Sequence, residues 1–190
     1  MPAGETLHVI GQDGAVRAKV WLEKTGRVDV LFSRYEVAEA PFLTFRKVVG
    51  EPFSFDLGGI LRLETGKVQF FGEVKKVSVE AGQGPMYKEY LAKCYRAAVQ
   101  SEMPHHFMWI TWHPFSVTSW SKLCTASEIK SAVEAHKEAY CGQDPVDDTI
   151  CADLAERLWL IVLSDRQENL SMSDAMLGTL KKAIVEGVSP

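Results

Sequence analysis

The chain has 190 residues, 46% hydrophobic and 24% charged, enough to bury a core and unlike a disordered or collagen-like sequence. Its net charge of -4, from 21 basic and 25 acidic residues, does not mark the whole surface as a polyanion binder. No apolar run approaches the roughly 20 residues of a bilayer span, residues 1–11 carry no signal-peptide pattern, and four cysteines without Cys-x-x-Cys spacing point to free thiols in a reducing, cytoplasmic setting.

Residues 15–32 alternate apolar side chains at Val16, Ala18, Val20 and Leu22, and again at Val28, Val30 and Phe32. With a turn at residues 24–27, this predicts a β-hairpin and a β-rich segment over residues 1–50. Residues 34–49 fit either a short helix or an extended path, because Pro41 interrupts them. A second hairpin is predicted over residues 53–63 and 67–79 about Glu64-Thr65-Gly66, with Gly58-Gly59 marking a bulge or a close backbone approach. Apolar residues at Tyr87, Tyr90, Leu91, Cys94, Tyr95, Ala98 and Val99 recur at helical spacing, so residues 87–102 should form a helix that Pro104 ends.

Residues 107–115 are dense in aromatic and β-branched side chains and read as a strand shielded from water. Thr125 or Ser127 can cap a helix running to about Tyr140, with Gly142 as its stop. Asp147 or Asp148 can cap another that reaches Leu163, and Ser171 or Ser173 a last one that ends near Gly187. A helix between two strands lets them lie parallel in one sheet. The expected fold is therefore α/β, a mixed central sheet with flanking helices: a hairpin-rich part over residues 1–50, an α/β core over 51–142 and a helical part over 143–190, in one compact domain.

Charge is unevenly spread along the chain. Residues 67–96 hold six basic against three acidic side chains, and residues 128–168 ten acidic against four basic. A nucleic-acid surface belongs to the first region, where Lys76, Lys88, Lys93 and Arg96 are candidates for phosphate contact; the alternative is that they form the wet face of an amphipathic helix. His105, His106 and His113 lack the partners and spacing of a zinc site and read as a loop boundary. Trp109, Trp112 and Trp120 can stack on bases or fill a core, and alternation puts Trp109 and Trp112 on opposite faces.

The most informative constellation is Asp56 followed, one hairpin later, by Glu73-Val74-Lys75. Residues two apart on a strand share a face, so Glu73 and Lys75 project together. If Asp56 stands on the neighbouring strand, two carboxylates meet, and they repel unless a cation joins them. Mg²⁺ or Mn²⁺ suits such a pair, because hard divalent ions are commonly held by one or two carboxylates plus phosphate oxygens. Lys75 is then placed to steady negative charge developing on a phosphate.

Asp56 and Glu73-x-Lys75, together with the hairpin, helix and strand around them, resemble the PD-(D/E)XK, or restriction-endonuclease-like, phosphodiesterase superfamily. The likeness is nearest to the nuclease-effector domains of bacterial anti-phage defence systems. Tyr90-Leu91-Ala92-Lys93-Cys94-Tyr95-Arg96, Phe107-Met108-Trp109-Ile110-Thr111 and Ser119-Trp120-Ser121-Lys122-Leu123 stand where that family has an aromatic-ended helix, a hydrophobic strand and a Ser-rich segment. The resemblance covers roughly residues 53–123. It implies a metal-dependent DNA nuclease in which Asp56 and Glu73 ligate Mg²⁺ or Mn²⁺ and Lys75 stabilises charge. The family usually also has an acidic helix before the Asp strand, a place that Glu36 or Glu39 fills only if residues 34–40 are helical.

Another class of function fits the same residues. Glu73, Lys75 and Lys76 can form a solvated strand face with weak ion pairs, and Asp56 can simply begin a turn. The chain is then a non-catalytic interaction module or degenerate nuclease fold, using the acidic helices after Glu128 to engage a protein partner or a second copy. It can also be a subunit of a larger assembly.

Overall fold

A computed structural model describes residues 3–36, 41–77, 82–101 and 103–187, with side chains from residue 11 onward. The first element is a helix, α1 (Ala3–Lys24), and it replaces the hairpin expected at residues 15–32, so residues 1–50 are not β-rich. The buried residues explain why. Ala15, Ala18 and Leu22 face inward at helical spacing, whereas Val16 and Val20, which made the alternation look strand-like, are each 45% exposed. Gly14 faces the same way: a Cβ there would press on Lys76 and Val74, so its absence lets α1 close against the sheet.

Strand β1 (Val28–Ser33) follows. A single 3-10 turn (Pro41–Leu43) then leads to the short strands β2 (Thr44–Phe45) and β3 (Phe53–Ser54), which pair only with each other. Strands β4 (Leu57–Leu63) and β5 (Gly66–Lys75) form the expected antiparallel hairpin, with Leu57 opposite Gly72 and Leu63 opposite Gly66. Helix α2 (Gln83–Gln100) crosses over to β6 (His105–Thr111), which lies parallel to β5. The helix-between-strands reading is met, and the strand order is β1-β4-β5-β6-β7.

The bulge expected near Gly58-Gly59 sits on the facing strand. The β1–β4 register slips between Val30 and Phe32, leaving Leu31 turned out, while a Cβ on Gly59 would collide with the Asp29 carbonyl.

After β6 come a 3-10 segment (Val117–Lys122), α3 (Ala126–Ala135), α4 (Lys137–Tyr140) and α5 (Asp148–Ala155). Thr125 caps α3 by accepting from the Glu128 amide, and Asp147 caps α5 by accepting from the Thr149 and Ile150 amides. Helix α5 does not reach Leu163. Residues Leu158–Val162 form β7, parallel to β6, because Leu-Trp-Leu-Ile-Val carries apolar side chains on both faces and the Arg157 guanidinium pins its start to the His105 carbonyl. Helices α6 (Asp165–Glu168) and α7 (Asp174–Glu186), the latter capped by Ser173 and ended by Gly187, complete the fold.

The two sheet faces bury different sets of side chains. Phe55, Phe71, Phe107 and Trp109 pack with Tyr87, Tyr90 and Leu91 of α2 and with Ile129 and Leu154 of α3 and α5. Phe70, Val74, Met108 and Ile110 pack with Ala15, Ala18 and Leu22 of α1. The result is an α/β domain with a mixed five-stranded sheet between helices, and β5 is its central strand. No described helix is long and apolar enough to cross a membrane.

Candidate functional site

Strand β5 alternates strictly toward its end: Phe70 and Val74 enter the α1-side core, while Phe71, Glu73 and Lys75 face α2. Glu73 is thus drawn into the sheet's covered face and is only 5% exposed. Asp56 immediately precedes β4, and its amide donates to the Gly72 carbonyl at 2.9 Å, so the hairpin register sets it opposite Glu73. It is 3% exposed. The solvated-face reading therefore does not hold for Glu73, and Asp56 leads directly into β4 and does not begin a turn.

The polar contacts are asymmetric. Asp56 Oδ2 accepts from the Val74 amide at 2.8 Å, while Oδ1 faces the Tyr35 hydroxyl at 3.5 Å and the Arg34 guanidinium at 3.6 Å. Glu73 Oε1 accepts from Lys75 Nζ at 2.8 Å and from Lys93 Nζ at 3.4 Å. Glu73 Oε2 is buried and has no hydrogen-bond partner. A buried carboxylate oxygen without a donor is costly.

The protonation states follow from this packing. Burial, reinforced by the neighbouring Glu73 carboxylate, pushes the Asp56 carboxyl up to about 6. Burial alone would lower Lys75, but the Glu73 and Asp56 carboxylates outweigh it and leave the ammonium raised and charged. Burial also raises the Tyr35 phenol, with the Asp56 charge adding to it.

The remaining candidates separate. Lys93, on α2, joins the two acids and Lys75. Lys76 turns to the opposite side and pairs with Asp13 of α1. Lys88 is exposed and reaches Glu128 at 4.0 Å, and Arg96 Nε donates to the Arg46 carbonyl. These three are not gathered at the acids. Arg34 and Tyr35 were not anticipated; their segment was ambiguous in sequence, and only the end of β1 carries them to Asp56. Glu36 binds Lys19 of α1, and Glu39 lies outside the described residues.

Trp109 is fully buried beneath Lys75, its ring 6.0 Å from Nζ. Trp112 lies on the other face, donating to Glu168 under the Arg17 guanidinium, and Trp120 is partly exposed beside Phe115. His105 and His106 open β6 and His113 follows its end, so the strand's length holds them apart. No group of three or more His, Cys, Asp or Glu side chains able to hold a metal occurs among the described residues. Asp56 and Glu73 are two carboxylates, which is the complement commonly offered to Mg²⁺ when water and phosphate complete the shell. An apolar cavity of about 450 Å³ lined by Trp21, Leu61, Met108, Trp159 and Ile161 lies across the sheet and takes no part in the site.

No protein-family model matches the chain, and no curated protein and no solved structure matches it either.

Proposed function

We propose that this chain is a metal-dependent nuclease with a restriction-endonuclease-like core that hydrolyses phosphodiester bonds in DNA. The observation that carries this reading is the meeting of Asp56, Glu73 and Lys75 on one face of the sheet, with both acids buried and Glu73 Oε2 left without a donor. The element order supports it as well: a helix, then the strand pair bearing the acids, then a crossover helix and a parallel strand. A helix, α1, does precede the Asp strand, but its Asp13 pairs with Lys76 on the sheet face opposite the acids. A role in bacterial or phage defence is what the resemblance implies.

Asp56 and Glu73 would hold Mg²⁺ or Mn²⁺. Such an ion, held by these two carboxylates, would supply Lewis-acid polarisation of a phosphoryl oxygen and of an attacking water. Asp56, fixed by the Val74 amide, keeps Oδ2 on the backbone and turns Oδ1 toward the Tyr35 hydroxyl and the Arg34 guanidinium. Lys75 stays protonated through neutral pH and presents its ammonium where charge builds on a phosphate. Trp109 and the α2 aromatics beneath keep water from the acids' inner side, which strengthens each of these charge interactions.

The test is incubation of plasmid and oligonucleotide DNA with Mg²⁺ or Mn²⁺, beside Glu73→Gln and Lys75→Ala proteins, with calorimetric Mn²⁺ titration of each. Cleavage by the wild type that both variants lose is expected. Intact DNA together with no Mn²⁺ binding by a folded wild type rejects the reading.

A second reading, a protein-binding subunit, is favoured by one observation. Leu170, Met176 and Val185, in the C-terminal segment and α7, are 85%, 60% and 84% exposed. Folded protein that neither cleaves nor binds Mn²⁺, but self-associates or captures a partner through these side chains, is its signature.

A further inference from the structure

We infer that Lys93 competes electrostatically with a divalent cation for Glu73 and, once displaced, binds the phosphodiester, so that metal and nucleic acid bind cooperatively. This rests on the metal-site reading above and adds a control on how that site fills.

Two ammonium groups converge on one carboxylate oxygen. Lys75 and Lys93 both reach Glu73 Oε1, at 2.8 and 3.4 Å, while Oε2 is buried and unpartnered. If both lysines were structural partners of Glu73, one on each oxygen would satisfy every group. Instead the carboxylate's charge is already neutralised while half its ligand capacity stays open. A divalent ion drawn to Oε2 meets two positive charges on the same carboxylate, and that repulsion weakens its binding.

Lys75 is tied to its position by β5, two residues from Glu73. Lys93 approaches from α2 at a longer distance, 3.4 against 2.8 Å. It is therefore the one that yields. Glu89, one turn earlier on α2, is already occupied by Tyr140 and Lys47 and does not offer Lys93 a second carboxylate. A phosphodiester anion beside the bound ion is the natural new partner. With the nucleic acid present, the ammonium exchanges one anion for another. In its absence, displacement leaves the ammonium partly buried and unpaired, which is unfavourable. Metal affinity and nucleic-acid affinity then rise together, and by equal factors.

The experiment measures Mn²⁺ affinity by calorimetry, with and without a phosphorothioate DNA duplex, for wild type and for Lys93→Met, Lys93→Gln and Lys93→Arg, each checked for folding by circular dichroism. Without DNA, the Met and Gln variants should bind Mn²⁺ about 3- to 10-fold more tightly than wild type, the size of an ordinary coupling between neighbouring sites. DNA should tighten Mn²⁺ binding by wild type and by Lys93→Arg, and much less for the two uncharged variants. Turnover should fall in both uncharged variants although they hold metal better, an opposition that a merely structural lysine does not produce. Unchanged or weaker Mn²⁺ binding in folded Met or Gln variants overturns the inference and leaves the metal site standing. Absence of Mn²⁺ binding in every protein, wild type included, overturns both.

Discussion

The Val74 amide donates to Asp56 Oδ2 at 2.8 Å, tying the acid that precedes one strand to the backbone of the next, directly beside Glu73. The bond fixes the carboxyl whichever protonation state it holds, since an oxygen accepts from N–H in both. An asparagine amide oxygen can make the same bond, which separates the geometry of this residue from its charge.

Asp56→Asn should therefore abolish metal binding and cleavage yet stabilise the fold above about pH 6. Burial raises Asp56 from an ordinary 3.8 to about 6. In that window the unfolded chain ionises the group while the folded chain keeps its proton, so stability falls as pH climbs from 3.8 through 6 and stays lower above. Thermal melts from pH 4 to 8 should show the variant's advantage growing across this interval and level thereafter. A constant difference at every pH contradicts it.

Lys75→Ala should slow single-turnover cleavage by about two to three orders of magnitude, the usual cost of losing one donor to a developing anion, with folding retained. Retention is expected because Lys75 is 27% exposed and its alanine leaves Lys93 on Glu73. Cleavage rates at saturating Mg²⁺ check the first part and circular dichroism the second.

Glycine positions offer a sharp contrast in stability. Gly59→Ala drives a methyl into the Asp29 carbonyl of β1 and should cost about 2–4 kcal/mol, in the range of severe overpacking. Gly178→Ala, inside α7 with open space around it, should gain about 0.5–1 kcal/mol from helix propensity. Urea denaturation midpoints moving in opposite directions are the expected result.

Asp147→Ala removes the side chain that caps α5 and should cost about 1 kcal/mol. Because α5 packs on α2 and α3 away from the acids, Mn²⁺ affinity should not change. A loss of both stability and metal affinity would show that this helix supports the site directly.

Much of the site was legible because its signals are local. A hairpin announces itself by its turn and alternation, so Glu73 and Lys75 sharing a face, and Asp56 lying across from them, follow from register. The N-terminal helix was not legible. Val16, Ala18, Val20 and Leu22 satisfy a strand's period as well as Ala15, Ala18 and Leu22 satisfy a helix's, and only the sheet beneath decides which set is buried. β7 failed for a related reason, since five apolar residues fit the end of a helix or an inner strand equally until β6 offers an open edge.

The amino-acid order by itself determined the hairpin, the crossover helix and the shared face of Glu73 and Lys75, because each depends on neighbours within a turn or a register, while it offered two candidates for each helix cap, from which the structure takes Thr125, Asp147 and Ser173. Tertiary structure alone decided that Glu73 is buried with one oxygen unpartnered, that Lys93 and not Lys88 or Arg96 reaches it, and that Arg34 and Tyr35 stand at Asp56. Those facts depend on the distance between a helix and a strand far apart in the chain, a quantity that packing of the whole core sets and no local pattern encodes.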